Sequence, residues 1–201
     1  MTLQEIALFT PAECASLSEE VLKMDPFLVD RGDMYTLGAN IEREDPKAYP
    51  AIANACNVII GNAFSVMYER LSKALGEALG EPVGYLSSGL GLPTFILAER
   101  RDRPLRLWFR NYTPEALGLE GLEALEGHSP FTFVVPVTIP TTPSGWGEET
   151  IKQFELGEMV LVGTPANYFA VGCPEGLPNE ETLILLAGRG ITTNKGIVIY
   201  A

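Results

Sequence analysis

Leu105-Arg106-Leu107-Trp108-Phe109-Arg110-Asn111-Tyr112 alternates in a way that governs how the whole chain is read. Leu105, Leu107 and Phe109 fall on one side of an extended backbone and Arg106, Trp108 and Arg110 on the other, the period of two that a β-strand imposes. Two guanidinium groups around an indole on one face read either as a solvated surface or as a pocket wall. Arg100, Arg101, Arg103, Arg106 and Arg110 are five of the chain's nine arginines, so this short region concentrates the positive charge of an acidic protein.

On both sides of this stretch the texture is that of strands. From Val83 onward, short apolar runs alternate with Gly and Pro, predicting strands at 83–86, 94–98, 105–110, 131–139, 151–154, 159–162, 168–171, 182–188 and 197–200. Turn signals separate them at Gly91-Leu92-Pro93, Thr142-Pro143-Ser144-Gly145, Leu156-Gly157-Glu158 and Asn194-Lys195-Gly196. The segment 118–127, an acidic run of small residues, reads as a solvated loop rather than a short helix or lid. Upstream the pattern is helical. Thr10-Pro11-Ala12-Glu13 supplies a capping hydroxyl, a first-turn proline and an acid three residues after the cap, so a helix is expected from there to Lys23. Between Tyr49 and Gly80, Ile52, Val58, Ile59, Val66, Met67, Leu71 and Leu75 recur at helical spacing, predicting one long helix weakened at Gly61 and stopped by Gly80-Glu81-Pro82. Helices followed by many short strands give an α+β chain whose sheet closes as a sandwich or jelly-roll barrel. No linker divides it: one domain, 1–201, is expected, with 1–82 mainly helical and 83–201 the β core.

Composition narrows the function. A net charge of −12 argues against nucleic acid or an anionic membrane as partner. Cys14, Cys56 and Cys173 are widely spaced and odd in number, forming neither a disulfide framework nor a metal motif, which fits a reducing cytoplasm. The opening MTLQEIALFT lacks the basic start of a secretory signal, and no uncharged apolar run approaches the roughly 20 residues of a membrane span. The chain has one histidine, His128, so any site needing two imidazoles from one chain is excluded by count. His128 lies in a Gly-His-Ser-Pro turn and reads as a surface or capping residue; Cys173 reads as a small hydrophobe. No Gly-rich phosphate loop, nucleophile elbow or acidic metal loop is present.

Several segments, in order, resemble the 2-oxoglutarate/Fe(II)-dependent oxygenases, and among them a compact bacterial branch. They are Tyr35-Thr36-Leu37-Gly38-Ala39, Leu92-Pro93-Thr94-Phe95-Ile96, Ser129-Pro130-Phe131-Thr132-Phe133-Val134-Val135-Pro136-Val137, Phe154-Glu155-Leu156-Gly157-Glu158-Met159-Val160, and Gly188-Arg189-Gly190 leading into Ile197-Val198-Ile199-Tyr200. The resemblance implies a double-stranded β-helix, a cupin-like jelly-roll barrel, with the N-terminal helices packed on one face. It also implies a metal held by His-x-Asp/Glu on one strand and a distal His on another, with an arginine on the next-to-last strand gripping 2-oxoglutarate. Here the first motif falls on Arg106 to Arg110, so Trp108 stands at the first histidine and Arg110 at the carboxylate. Phe169 stands at the distal histidine, and the positions around Thr182 to Leu185 hold no arginine. Indole, guanidinium and phenyl groups do not hold Fe(II), so only the fold and the cavity's location are expected to carry over, with no metal and no cofactor.

A buried arginine needs an acceptor, because an unpaired guanidinium in low dielectric costs several kcal/mol. A small ligand bearing carboxylate or phosphate supplies one, stacked on the indole. The expected ligand-binding residues are Arg106, Trp108, Phe169 and Phe95. Arg110, as electrostatic stabiliser, and Tyr112 or Tyr168, as proton donors, are the expected catalytic ones for a non-oxidative cyclisation, isomerisation or elimination. Two readings stand beside this: a non-catalytic scaffold whose cavity is filled by its own side chains, and an oxidoreductase with an atypical iron site. The arginines also have the plainer role of pairing with glutamates or facing solvent. A homodimer is compatible with all three.

Overall fold

The computed structural model describes residues 3–99, 105–108, 131–138, 142–144, 155–163, 168–172 and 182–201. Twelve strands and three α-helices follow one another along these residues: β1 (Leu3–Ala7), α1 (Pro11–Lys23), β2 (Val29–Asp30), β3 (Tyr35–Leu37), α2 (Tyr49–Ala63), α3 (Ser65–Leu79), β4 (Val83–Gly84), β5 (Thr94–Glu99), β6 (Leu105–Trp108), β7 (Phe131–Pro136), β8 (Thr142–Ser144), β9 (Glu158–Gly163), β10 (Tyr168–Gly172), β11 (Thr182–Thr193) and β12 (Gly196–Tyr200).

The capping box at the first helix forms as the sequence dictates. The Thr10 main-chain N donates to Glu13 Oε2 at 2.8 Å, and the Glu13 main-chain N donates to Thr10 Oγ1 at 3.3 Å. The long helix expected from Tyr49 is instead two helices, α2 and α3, bent by 96°. The break falls at Phe64, not Gly61. Phe64 leaves helical geometry (φ −120°, ψ 27°) and buries its ring against Phe95, 4.9 Å between centroids, so packing overrides a continuous apolar pattern.

The strands form one ribbon folded on itself. β5 pairs with β11, β6 with β10 and β7 with β9, each antiparallel. These pairs are nested in chain order, so the first half of the β region runs alongside the second. Successive rungs alternate between sheets: β5/β11 and β7/β9 lie in a nine-stranded sheet, β6/β10 with β8 in a three-stranded one. A second pairing, β11 with β7, joins successive turns of the ribbon. An antiparallel ribbon wound between two sheets in this way is a double-stranded β-helix. Thr142–Ser144, a turn by its composition, is the strand β8 against β10. The expected strand at 151–154 lies outside the described residues.

The N-terminal part contributes more than helices. β1 extends the large sheet beyond β9, and β3 and β2 extend it beyond β5. One face of that sheet meets the helices. Phe95, Leu97, Phe133, Val135, Met159, Leu161, Ile184 and Leu186 pack there with Leu17, Val21, Phe64, Tyr68, Leu71 and Leu75. The opposite face, with Ile96, Val134, Val160, Leu183, Leu185 and Ala187, is equally buried. A sheet buried on both faces needs cover on both sides, which the helices give on one and the winding of the ribbon on the other.

Gly188 and Gly190 show how tightly the helix-facing side is filled. A Cβ on Gly188 would lie 2.6 Å from Phe133 Cζ, and one on Gly190 2.1 Å from Phe131 Cζ. Aromatic rings of β7 lie against the bare backbone of β11, and the residue between the glycines, Arg189, belongs to the opposite face.

Candidate functional site

The β6–β10 register orders the residues of the opening stretch. Trp108 is directly opposite Tyr168, Leu107 opposite Phe169, and Arg106 opposite Ala170. Phe169 takes the register position opposite Leu107, one step along from the Trp108–Tyr168 pair.

Phe95 is fully buried on the helix-facing side of the large sheet, against Phe64, and its neighbours Thr94 and Ile96 take the other face. Arg110 and Tyr112, with the segment 118–127, lie outside the described residues.

At the Thr94 end of β5 a narrow cavity is lined by Asn40, Glu42, Thr94, Ile96, Ala187, Gly188, Arg189 and Ala201.

A loop following β3 supplies much of this cavity. Gly38 has φ +118°, and a Cβ there would lie 2.9 Å from Thr94 Oγ1, so glycine lets the loop pass close over β5. Thr94 Oγ1 donates to the Leu37 carbonyl at 2.8 Å. Beyond it, Glu42 and Glu44 each meet an arginine from elsewhere. Arg189 Nη2 donates to Glu42 Oε1 at 2.7 Å with both side chains 6% exposed, and Arg31 pairs with Glu44 while its Nε donates to Thr36 Oγ1 at 3.1 Å. The Arg189 guanidinium also stands 5.6 Å from the centroid of the Tyr200 ring. The Gly91 main-chain N donates to Tyr49 Oη at 2.9 Å, and that hydroxyl donates to the main-chain oxygen of Ala201. Burial, above all, pushes the Tyr49 phenol up from its ordinary range, so it remains a protonated donor.

Asn40, Glu42, Thr94 and Arg189 supply the polar side chains of the described cavity, and the sequence did not single them out as a site. The Gly188-Arg189-Gly190 step was the available signal: glycines flanking an arginine inside an apolar strand mark a backbone covered on one face and a cation on the other.

The family resemblance calls for two imidazoles and a carboxylate. The described positions of β6 hold Leu, Arg, Leu and Trp, and those of β10 hold Tyr, Phe, Ala, Val and Gly. None of these positions holds a His, Asp, Glu or Cys. Among the described residues no group of three or more His, Cys, Asp or Glu side chains is placed to hold a metal.

The nested ribbon and its filled large sheet make this a double-stranded β-helix protein. The chain is similar in fold to the non-heme alpha ketoglutarate dependent epimerase SnoN from nogalamycin biosynthesis, at 10% identity and a TM-score of 0.49, over 93% of this chain and 76% of that one. It is also similar to a Pseudomonas putida prolyl-4-hydroxylase, at 9% identity and a TM-score of 0.41, over 94% of this chain and 91% of that one. No family profile and no curated protein matches the sequence.

Proposed function

We propose that this chain is an oxygenase-fold protein that works without the fold's metal, binding a small carboxylate- or phosphate-bearing molecule at the Trp108 end of the β-helix. The observation that carries the reading is the direct opposition of Trp108 and Tyr168 across β6 and β10, at the strand pair where the resembled family carries its ligands. An indole and a phenol on one face give an apolar wall with a hydroxyl, and Arg110, two residues beyond Trp108, supplies the cation. Tyr168, with Tyr112, is the proton donor in this reading, and Arg106 a second cation for the anion. The reaction class is non-oxidative: cyclisation, isomerisation or elimination.

The Glu42–Arg189 pair favours a second reading, a non-catalytic scaffold, since the chain's own carboxylate already satisfies one arginine of the cavity. Thermal shift with a panel of small carboxylates and phosphates separates the two. A ligand at a hundred times its Kd stabilises by about 2.7 kcal/mol, which for a chain of this size raises Tm by roughly 5–10 °C. That shift is expected for at least one compound and is expected to disappear in Arg110→Ala. A flat response across the panel supports the scaffold instead. Near-stoichiometric iron in protein purified with Fe(II) would overturn both in favour of an atypical oxidoreductase. Turnover of the bound compound is then followed by mass spectrometry.

A further inference from the structure

A groove of about 370 Å³ runs between α1 and α3, a volume within the range of small-ligand sites. Leu17 and Met67, the buried members of its lining, form the floor, while Val66 stands 76% exposed at the lip. Along α1, Ala12, Ser16 and Glu20 follow at four-residue intervals, so that helix presents a wall about 12 Å long. The groove carries three charged side chains, and two of them engage each other. Arg70 Nη1 donates to Glu13 Oε1 at 2.6 Å, with the guanidinium 5.4 Å from the centroid of the Phe9 ring. Glu13 Oε2 accepts from the main-chain N and the hydroxyl of Thr10. The third, Glu20, lies about two turns further along α1 and makes no hydrogen bond or ion pair with any described residue. One unengaged charge remains in an otherwise apolar groove, and it is a carboxylate.

We infer that this groove is a further ligand site, independent of the reading at Trp108, and that it takes a small lipophilic amine. The ammonium meets Glu20, and the apolar chain lies over Leu17, Met67 and Val66 toward Phe9. Charge complementarity selects the sign of the ligand. An anion would face Glu20 without a cation to receive it, because Arg70 is already held by Glu13 and Phe9 and the described lining has no other. The field of a chain carrying −12 favours a cation as well. Burial selects the rest of the ligand: Val66 leaves an aliphatic side chain in water, and hydrocarbon laid against it removes apolar surface from both partners. The volume suits a small molecule rather than a protein, whose interfaces bury about 800 Å² on each side.

The test is isothermal titration calorimetry of the full chain with n-alkylammonium chlorides from butyl to octyl at low salt. Octylammonium is expected to saturate one site with a Kd below about 1 mM. Affinity is expected to rise by up to about fourfold per methylene until the chain reaches Phe9. Glu20→Gln is expected to weaken binding by about two- to fivefold, and Val66→Asn by about fivefold or more. Both positions are exposed, so melting by circular dichroism is expected to stay unchanged. Octyl sulfate, the same chain with the opposite charge, is expected not to saturate. Octyl sulfate that binds as tightly as octylammonium overturns the inference. So does equal octylammonium affinity in wild type and both variants, the mark of general attraction to an acidic surface. A flat titration across the series overturns it too, and saturation instead by a Lys-bearing amphipathic helical peptide would assign the groove to a protein partner.

Discussion

Gly190→Ala tests the packing that turns Arg189 toward the cavity. The added methyl would stand 2.1, 2.3 and 2.8 Å from Phe131 Cζ, Cε1 and Cε2, where ordinary contact needs 3.4–4 Å. Relief requires the ring to move by more than an ångström, yet Phe131 is 7% exposed and belongs to the helix-facing core. Overpacking of this kind costs about 1–3 kcal/mol, or a Tm lower by roughly 2–12 °C for a chain of this length. Urea denaturation followed by circular dichroism, with unchanged m-value, measures it. The companion experiment places Gly190→Ala in a Phe131→Leu background, where the shorter side chain leaves room. There the alanine is expected to cost at least about 1 kcal/mol less than in wild type, a coupling typical of contacting residues. A cost under about 0.5 kcal/mol in wild type, or the same cost in both backgrounds, would refute the account of the glycine step.

Two further outcomes follow from the electrostatics. Glu42→Ala removes a carboxylate 2.7 Å from Arg189 where both side chains are 6% exposed, and breaking a buried pair costs about 3–5 kcal/mol; urea denaturation showing a loss under about 1 kcal/mol would mean that the pair is effectively solvated. The main-chain hydrogen bond at Thr10, with Arg70 and the Thr10 hydroxyl, holds the Glu13 carboxyl at about 2, below its ordinary value. A depressed folded value stabilises above the unfolded pKa near 4.3, and that stabilisation fades as pH falls toward 2. Glu13→Gln is therefore expected to lower Tm at pH 7 and to converge with wild type near pH 2, as measured by thermal melts across that interval; a constant difference would contradict the assignment.

Much of the fold was legible because its signals are local. The capping box at Thr10 and the short apolar runs of β5, β9 and β12 each arise from residues adjacent in the chain, where composition and capping chemistry act directly. The break at Phe64 was not legible, because it comes from a ring contact with Phe95 across more than thirty residues, and an apolar pattern is blind to such partners. β1 escaped notice for the same reason: Leu3 to Ala7 is a strand through its pairing with β9. The packing of Phe95 against Phe64 and the opposition of Trp108 and Tyr168 were not legible either, since both depend on which distant element lies alongside.

The sequence by itself determined that the chain is α+β and acidic, that a single histidine rules out a two-imidazole site within it, and that an arginine–tryptophan alternation lies in a strand. Only the tertiary structure decided that Tyr168 is opposite Trp108, that Arg189 is joined to Glu42 across 147 residues of chain, and that α2 turns an uncharged face outward. The physical reason is range. Charge, composition and periodicity are properties of neighbours along the chain, whereas register, ion pairing and exposure are fixed only when the ribbon winds and distant segments exclude water from one another.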